Sequence, residues 1–229
     1  MEGTLYIVAT PIGNLGDITF RAIEVLKQVD VIACEDTRHT KILLSHYGIQ
    51  KTLISYFEHN KEKKARYILR LLDDGKNVAL VSDAGTPGIS DPGYRVIRDA
   101  IDNEVNVISI PGANAALAAL AVSGMPTDRF AFEGFLPNKT TARKKKLSEF
   151  AKKKSTIICY ESPHRLLASL EDMGEVLGDA ELVVAREITK KFEEIKRGNA
   201  SDLLAYFKQK KVRGEFVVII NPAIKRAKE

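Results

Sequence analysis

Short runs of β-branched and aliphatic residues alternate with stretches of helical periodicity from the start of the chain. That pattern predicts a layered α/β fold with a largely parallel sheet. In the first half, apolar runs at residues 5–9, 31–34, 78–82 and 107–110 read as strands. Helical patterns separate them at residues 19–29, with Ile23 and Leu26 on one face, and at 39–47, 61–72 and 93–103. Each closes on a breaker or a charged turn such as Asp73-Asp74-Gly75. This half reads as one doubly wound unit. After Pro111-Gly112 the texture changes: a small-residue helix spans 113–123, and Gly124-Met125-Pro126 breaks it. Strands are then expected at 130–135, 156–160, 182–185, 192–196 and 216–220, and helices at 142–153, 163–177 and 200–210. The closer spacing of strands implies a mixed sheet. The expectation is two α/β domains, residues 1–112 and 113–229.

Composition supports a packed chain. With 229 residues, 45% hydrophobic and 28% charged, it can bury a sizeable core, and global disorder is excluded. No stretch approaches the roughly 20 apolar residues that cross a bilayer, and the start reads straight into a strand, so neither a membrane span nor a signal peptide is expected. Cys34 and Cys159 each sit in a short apolar run, which points to structural thiols in a reducing cytoplasm. His39, His46, His59 and His164 are scattered without ligand spacing, so no metal site is expected. The net charge of +5 says less than its distribution. Residues 139–154 hold eight basic side chains (Lys139, Arg143, Lys144, Lys145, Lys146, Lys152, Lys153 and Lys154) against Glu149 alone. That run is a candidate nucleic-acid surface, and equally a solvated helix face.

In open α/β sheets ligands bind beyond the carboxyl ends of the strands, so the loops there are where chemistry is sought. The first strand runs into Thr10-Pro11-Ile12-Gly13-Asn14-Leu15-Gly16-Asp17. With two glycines spaced G-x-x-G and a proline, it is a poor dinucleotide fingerprint and reads better as a tight strand-to-helix turn. The second strand ends in Glu35-Asp36-Thr37-Arg38-His39, where Arg38 could clamp a phosphate and Asp36 or Thr37 could equally cap a helix. The third leads into Asp83-Ala84-Gly85-Thr86-Pro87-Gly88-Ile89-Ser90-Asp91-Pro92-Gly93. Its glycines and prolines describe a shaped loop whose backbone stays available to a ligand. The fourth ends in Pro111-Gly112-Ala113-Asn114-Ala115-Ala116, small residues that allow close approach of a flat group or simply tight packing.

Taken together, Ala9-Thr10-Pro11-Ile12-Gly13-Asn14-Leu15, Glu35-Asp36-Thr37-Arg38, Val81-Ser82-Asp83-Ala84-Gly85-Thr86-Pro87, Asp91-Pro92-Gly93 and Pro111-Gly112 carry a family likeness. It continues through Glu133-Gly134-Phe135-Leu136-Pro137, Tyr160-Glu161-Ser162-Pro163-His164-Arg165, Ala185-Arg186-Glu187-Ile188-Thr189-Lys190 and Gly214-Glu215. The chain resembles the bacterial 16S rRNA cytidine 2′-O-methyltransferases of the tetrapyrrole-methylase superfamily over nearly its whole length. The resemblance implies a homodimeric, two-domain enzyme that binds S-adenosyl-L-methionine in a cleft between domains. It would methylate a cytidine ribose in the decoding centre of 16S rRNA, in the small ribosomal subunit. By position in the family pattern, Asp83, Ala84, Gly85, Asn114 and Ala115 would contact the cofactor, with Tyr160 and Arg186 closing over it. Members of the family often extend some tens of residues further. RNA contact would then fall on residues 139–154 and on Lys208, Lys210, Lys211 and Arg213.

A ribose hydroxyl is a weak acid, so transfer needs positioning and a group to receive or favour loss of its proton. Asp36, Glu187 and Lys190 are the candidates for proton handling, with Arg38 and Arg186 orienting phosphate or hydroxyl. Two other classes stay open at this stage: methylation of a porphyrin-like macrocycle at carbon, and an RNA-binding module with a decayed pocket.

Overall fold

The structure, a computed structural model, describes residues 3–57, 61–91 and 93–225. His59 and Pro92, named above, lie outside the described residues. The chain divides into two compact units, one ending at Asn114 and the other beginning at Ala115.

The first unit runs β1 (Thr4–Val8), α1 (Phe20–Gln28), β2 (Val31–Cys34), α2 (Thr37–His46), β3 (Thr52–Ser55), α3 (Lys61–Asp73), β4 (Val78–Val81), α4 (Tyr94–Asp102) and β5 (Asn106–Ile110). Its sheet has the order β3-β2-β4-β1-β5, and every pairing is parallel. All of β4 is buried, and its side chains alternate between two cores as a pleated strand requires. Val78 and Leu80 pack with Ile68 and Leu72 of α3 and Val96 and Ala100 of α4. Ala79 and Val81 pack with Ala22 and Leu26 of α1 and Leu44 of α2. This is the doubly wound arrangement that the apolar runs predict. Strand β3 has no counterpart in the sequence reading. It lies at the edge of the sheet and only Ile54 among its residues is buried, so no apolar run marks it.

The second unit runs α5 (Ala115–Ser123), β6 (Phe130–Phe135), α6 (Thr140–Phe150), β7 (Thr156–Glu161), α7 (Leu166–Leu177), β8 (Ala180–Arg186), β9 (Glu194–Gly198), α8 (Ala200–Lys208) and β10 (Phe216–Lys225). The sheet order is β6-β7-β10-β8-β9. Only β6 and β7 pair parallel, so the sheet is mixed. One face packs on α6, α7 and α8 through Leu147, Leu170 and Phe207, and the other on α5 through Ala116, Ala119 and Leu120. The strand expected at 192–196 begins instead at Glu194. Residues 187–193 are taken up by turns, with Lys190 N donating to Glu187 O and Glu193 N to Lys190 O, and Phe192 is 65% exposed.

Both cysteines are free and buried. Burial pushes the Cys159 thiol up to about 12, which leaves it inert as a nucleophile. Among the described residues no helix is long and apolar enough to cross a membrane.

Candidate functional site

Strands β4 and β1 are neighbours whose connections leave in opposite directions along the sheet, toward β5 and β2. A parallel sheet opens a crevice at the carboxyl ends of such strands. Here the two loops are stitched together. Thr10 N donates to Gly85 O at 2.9 Å and Gly85 N returns a bond to Thr10 O at 3.0 Å. The Thr10 hydroxyl donates to Ser82 O at 3.0 Å, and the Ser82 hydroxyl to Gly85 O at 3.2 Å. Gly85 holds this position at φ 84°, a left-handed conformation that costs an L residue about 1–2 kcal/mol. The loop after β5 joins them, with the Thr86 hydroxyl donating to Ala113 O at 3.4 Å. The result is a cradle of backbone and small side chains from Asp83, Ala84, Gly85 and Ala113, suited to a flat ligand.

The loop after β2 closes the same edge. Asp36 N donates to an Asp83 carboxylate oxygen at 3.0 Å. Asp36 also caps α2, its carboxylate accepting from Arg38 N at 2.8 Å, and it pairs with the Arg38 guanidinium at 2.6 Å. The Arg38 side chain and then its backbone N–H hold the Asp36 carboxyl down at about 2. The helix-cap reading of this segment is therefore realised, and Asp36 is a weak base. A pocket of about 170 Å³ opens between these loops, lined by Thr10, Pro11, Gly13, His39, Ser82 and Asp83 among others.

Asp91 lies in the long loop after β4 but was not named above as a site residue. Its carboxylate accepts from Gly88 N and Gly93 N and so ties the long loop into a compact turn. Burial pushes its pKa up. Glu35, at the end of β2, is likewise raised by burial and by the nearby Asp83 and Asp91 carboxylates. The signal was present as Asp-Pro-Gly, a turn whose acid bonds its own backbone.

In the second unit the residues form two groups. Ala115 and Tyr160 belong to the apolar cluster beneath α5, where the Tyr160 ring meets Phe132 and Phe135 edge-on at centroid distances of 4.9 and 5.7 Å. The segment after Tyr160 is fastened by buried Glu161, which accepts from Ser162 N at 2.8 Å, Arg165 Nε at 2.9 Å and the Ser169 hydroxyl at 2.5 Å. At the end of β8, Arg186 Nε donates to Arg213 O at 2.7 Å.

Glu187 and Lys190 are brought together. Glu187 Oε1 accepts from Lys190 Nζ at 2.9 Å and from Glu215 N at 3.0 Å, and Lys190 Nζ also reaches Glu215 at 2.9 Å. Glu187 and Thr189 carry positive φ, 50° and 67°, strain of the kind that collects where geometry is functionally fixed. Burial opposes ionisation of Glu187, yet the bonds from Lys190 and Glu215 N bring its pKa below the usual range. Burial likewise opposes the charge on Lys190, and the carboxylates of Glu215 and Glu187 raise its pKa nonetheless. Lys190 is therefore an ammonium at neutral pH and cannot serve as a base. A Cβ at Gly214 would lie 2.6 Å from the Glu187 side chain, so that glycine makes room for the pair.

The basic stretch at 139–154 is not the open surface its sequence suggests. Arg143 is buried and pairs with buried Asp172 at 2.6 Å. Lys144 pairs with Glu175, and Lys146 and Lys153 converge on Glu133. Lys139, Lys145, Lys152 and Lys154 have no ion pair among the described residues. Of the later basic residues, Lys208 pairs with Glu171 and Lys210 with Glu194. The partners come from elements distant in sequence, which a charge count along the chain cannot register. Among the described residues no cluster of three or more His, Cys, Asp or Glu could hold a metal ion.

Known proteins resemble this chain at two levels. Residues 4–204 match the model of the tetrapyrrole (corrin/porphyrin) methylases. A protein of Synechocystis sp. named ribosomal RNA small subunit methyltransferase I is 52% identical over 219 residues, covering 95% of this chain and 78% of that protein. Its namesake in Bacillus subtilis is 51% identical over 218 residues, 95% of this chain and 75% of that one. Among solved structures, cobalt precorrin-4 methyltransferase superposes with a TM-score of 0.72 at 20% identity, covering 95% of this chain and 94% of that one. Uroporphyrin-III C-methyl transferase from Thermus thermophilus, complexed with S-adenosyl homocysteine, gives 0.65 at 19% identity, covering 96% and 97%. At those identities the structural likeness is one of fold alone.

Proposed function

This chain belongs to the tetrapyrrole (corrin/porphyrin) methylase family, and we propose that it methylates small-subunit ribosomal RNA, transferring a methyl group from S-adenosyl-L-methionine to a cytidine ribose 2′-oxygen in the decoding centre of 16S rRNA. The observation that carries this reading is the half-identity, over at least 95% of the chain, to proteins named for small-subunit rRNA methylation. The macrocycle methylases share the fold at 19–20% identity.

The residues present suit the cofactor: the Asp83–Ala84–Gly85 backbone and the small residues around Ala113 leave room for a flat adenosyl group. Asn114 and Ala115 are proposed as further contacts, with Tyr160 and Arg186 from the second unit. When bound, the cofactor supplies a methyl group activated by its sulfonium sulfur. Asp36 is spent on capping and on Arg38, so its part is to orient that exposed guanidinium toward an RNA phosphate. Two Lys190 N–H donors are engaged by Glu187 and Glu215, and the third is available to a phosphate oxygen beside the reacting ribose, which holds the hydroxyl in place. Oε1 of Glu187 takes both of its hydrogen bonds, and Oε2 has no partner among the described residues. We assign to Oε2 the proton released as the oxygen–carbon bond forms. A carboxylate held below its usual range receives that proton late, once the hydroxyl has become strongly acidic. The enzyme is further proposed to act as a homodimer in the cytoplasm.

The test is incubation with methyl-labelled cofactor and, separately, unmodified small subunits and a porphyrin-like macrocycle. Label in a 2′-O-methylcytidine of 16S rRNA is the expected result. Label in the macrocycle alone overturns the reading.

A further inference from the structure

The outward stripe of α3 offers a row of cations that make no ion pair among the described residues. Lys63, Arg66, Tyr67 and Arg70 recur at the i, i+3, i+4, i+7 spacing of one helix face. Lys63, Arg66, Tyr67 and Arg70 are exposed, whereas Ala65, Ile68 and Leu72 anchor the opposite side in the core. None of Lys63, Lys64, Arg66 and Arg70 has an ion pair among the described residues. Lys64 instead lies 5.8 Å from the centroid of the Tyr67 ring, which is 46% exposed.

Acids on the next helix are engaged by its own arginines, whereas Asp73 and Asp74, three and four residues after Arg70, are exposed and make no ion pair among the described residues. On the neighbouring α4, Asp99 is bound by Arg95 and Asp102 by Arg98. Glu62, four residues before Arg66 and in the favourable order for a helical ion pair, makes none. Like charges at Lys63/Arg66 and Arg66/Arg70 repel across single turns. In α6 the equivalent repulsion is relieved by acids from other elements, and in α3 it is left standing.

We propose that this face of α3 is a docking surface for the phosphate backbone of the substrate rRNA, with Tyr67 stacking on an unpaired base. The inference rests on the rRNA reading above. Charge complementarity selects the occupant: three cations spread over about 10 Å of helix match about three phosphates at ~3.4 Å per step. An exposed aromatic ring among them is the usual platform for a base.

The experiment measures binding of protein-free 16S rRNA, and of assembled small subunits, between 50 and 200 mM KCl. Wild-type protein is compared with K63Q/R66Q/R70Q, with R70Q alone, and with K139Q/K145Q/K152Q/K154Q on and beside α6. Losing three phosphate contacts should flatten the log–log salt slope by about 2.1 to 2.7 units, so that the wild type loses about 20- to 40-fold more affinity than the triple variant across that range. R70Q should flatten it by about one unit. Melting temperature and cofactor affinity should stay at wild-type values, since these side chains are exposed. Unchanged rRNA binding by the triple variant, or a larger loss from the α6 set, overturns the assignment of α3. Loss of binding to assembled subunits with full binding to bare rRNA also overturns it and identifies a ribosomal protein as the contact. If wild-type protein binds neither form in a salt-dependent way, the rRNA reading itself fails.

Discussion

Gly85 provides the sharpest test of where the cofactor sits. Its φ of 84° places it in the left-handed region, so any L residue there costs about 1–2 kcal/mol. An added Cβ meets Ile12 Cγ2 at 3.5 Å and Ala113 O at 3.8 Å, which is ordinary contact rather than a clash. Gly85→Ala should therefore lose about 1–2 kcal/mol from a stability that for folded domains is about 5–15 kcal/mol, and remain folded. Gly85→Leu adds three more carbons in the space between Ile12 and the Ala113 carbonyl, where the adenosyl group is placed. Calorimetric titration with S-adenosyl-L-methionine should then show at least about a 100-fold loss of affinity, equivalent to about 2.7 kcal/mol. Urea denaturation should show the leucine variant still folding cooperatively. A leucine variant that folds and binds the cofactor within about threefold of wild type would refute the placement, because no ligand can share that space with the new side chain.

Four further expectations follow from the same geometry. Arg143→Met leaves the buried Asp172 carboxylate with only Lys144 at 3.6 Å and should cost about 3 kcal/mol in chemical denaturation, whereas Lys145→Met, an exposed neighbour, should change stability by less than about 0.5 kcal/mol. Glu187→Gln should lower stability at pH 7 relative to wild type. Because the folded carboxyl lies below its usual pKa, that difference is complete above about pH 5 and fades as pH falls through the folded value, which thermal melts across pH 3–7 would follow. Gly214→Ala should reproduce the activity loss of Glu187→Ala in a methyl-transfer assay, since its Cβ displaces Glu187 from Lys190 and Glu215. Cys159 should resist alkylation in native protein at pH 8 and react once denatured, as mass spectrometry of the labelled peptide would record.

Fold and site differ in how much of them the chain displays along its length. Strand β4 could be read directly because all four of its residues are buried, and the parallel first sheet follows from the alternation of such runs with helical periods. Strand β3 escaped because an edge strand with one buried residue leaves no apolar run. The loop after β4 was legible as a shaped loop because glycine and proline collect there, whereas those after β1 and β5 read equally as tight turns or packing. Their mutual bonding was not legible: the Thr10–Gly85 bridge and the Asp36–Asp83 bond join residues 75 and 47 positions apart. The role of Asp36 was legible only as an alternative, since capping and proton transfer require the same carboxylate at the same place. Its pairing with Arg38 decides for the cap.

The basic residues make the same point about charge. Between residues 139 and 154 the sequence presents eight cations, yet Arg143, Lys144, Lys146 and Lys153 bind acids on β6 and α7. Those lysines and that arginine hold the second unit together and can contribute little to a distant phosphate, because each field is cancelled within a few ångströms. Helix α3 is less conspicuous in sequence, since Glu62 and Asp73 interrupt it. After folding, Lys63, Lys64, Arg66 and Arg70 hold no ion pair among the described residues, and an unpaired charge is the one a polyanion detects. Attraction for RNA therefore follows from which cations remain unpaired after folding, and their density along the chain is a poor guide to it.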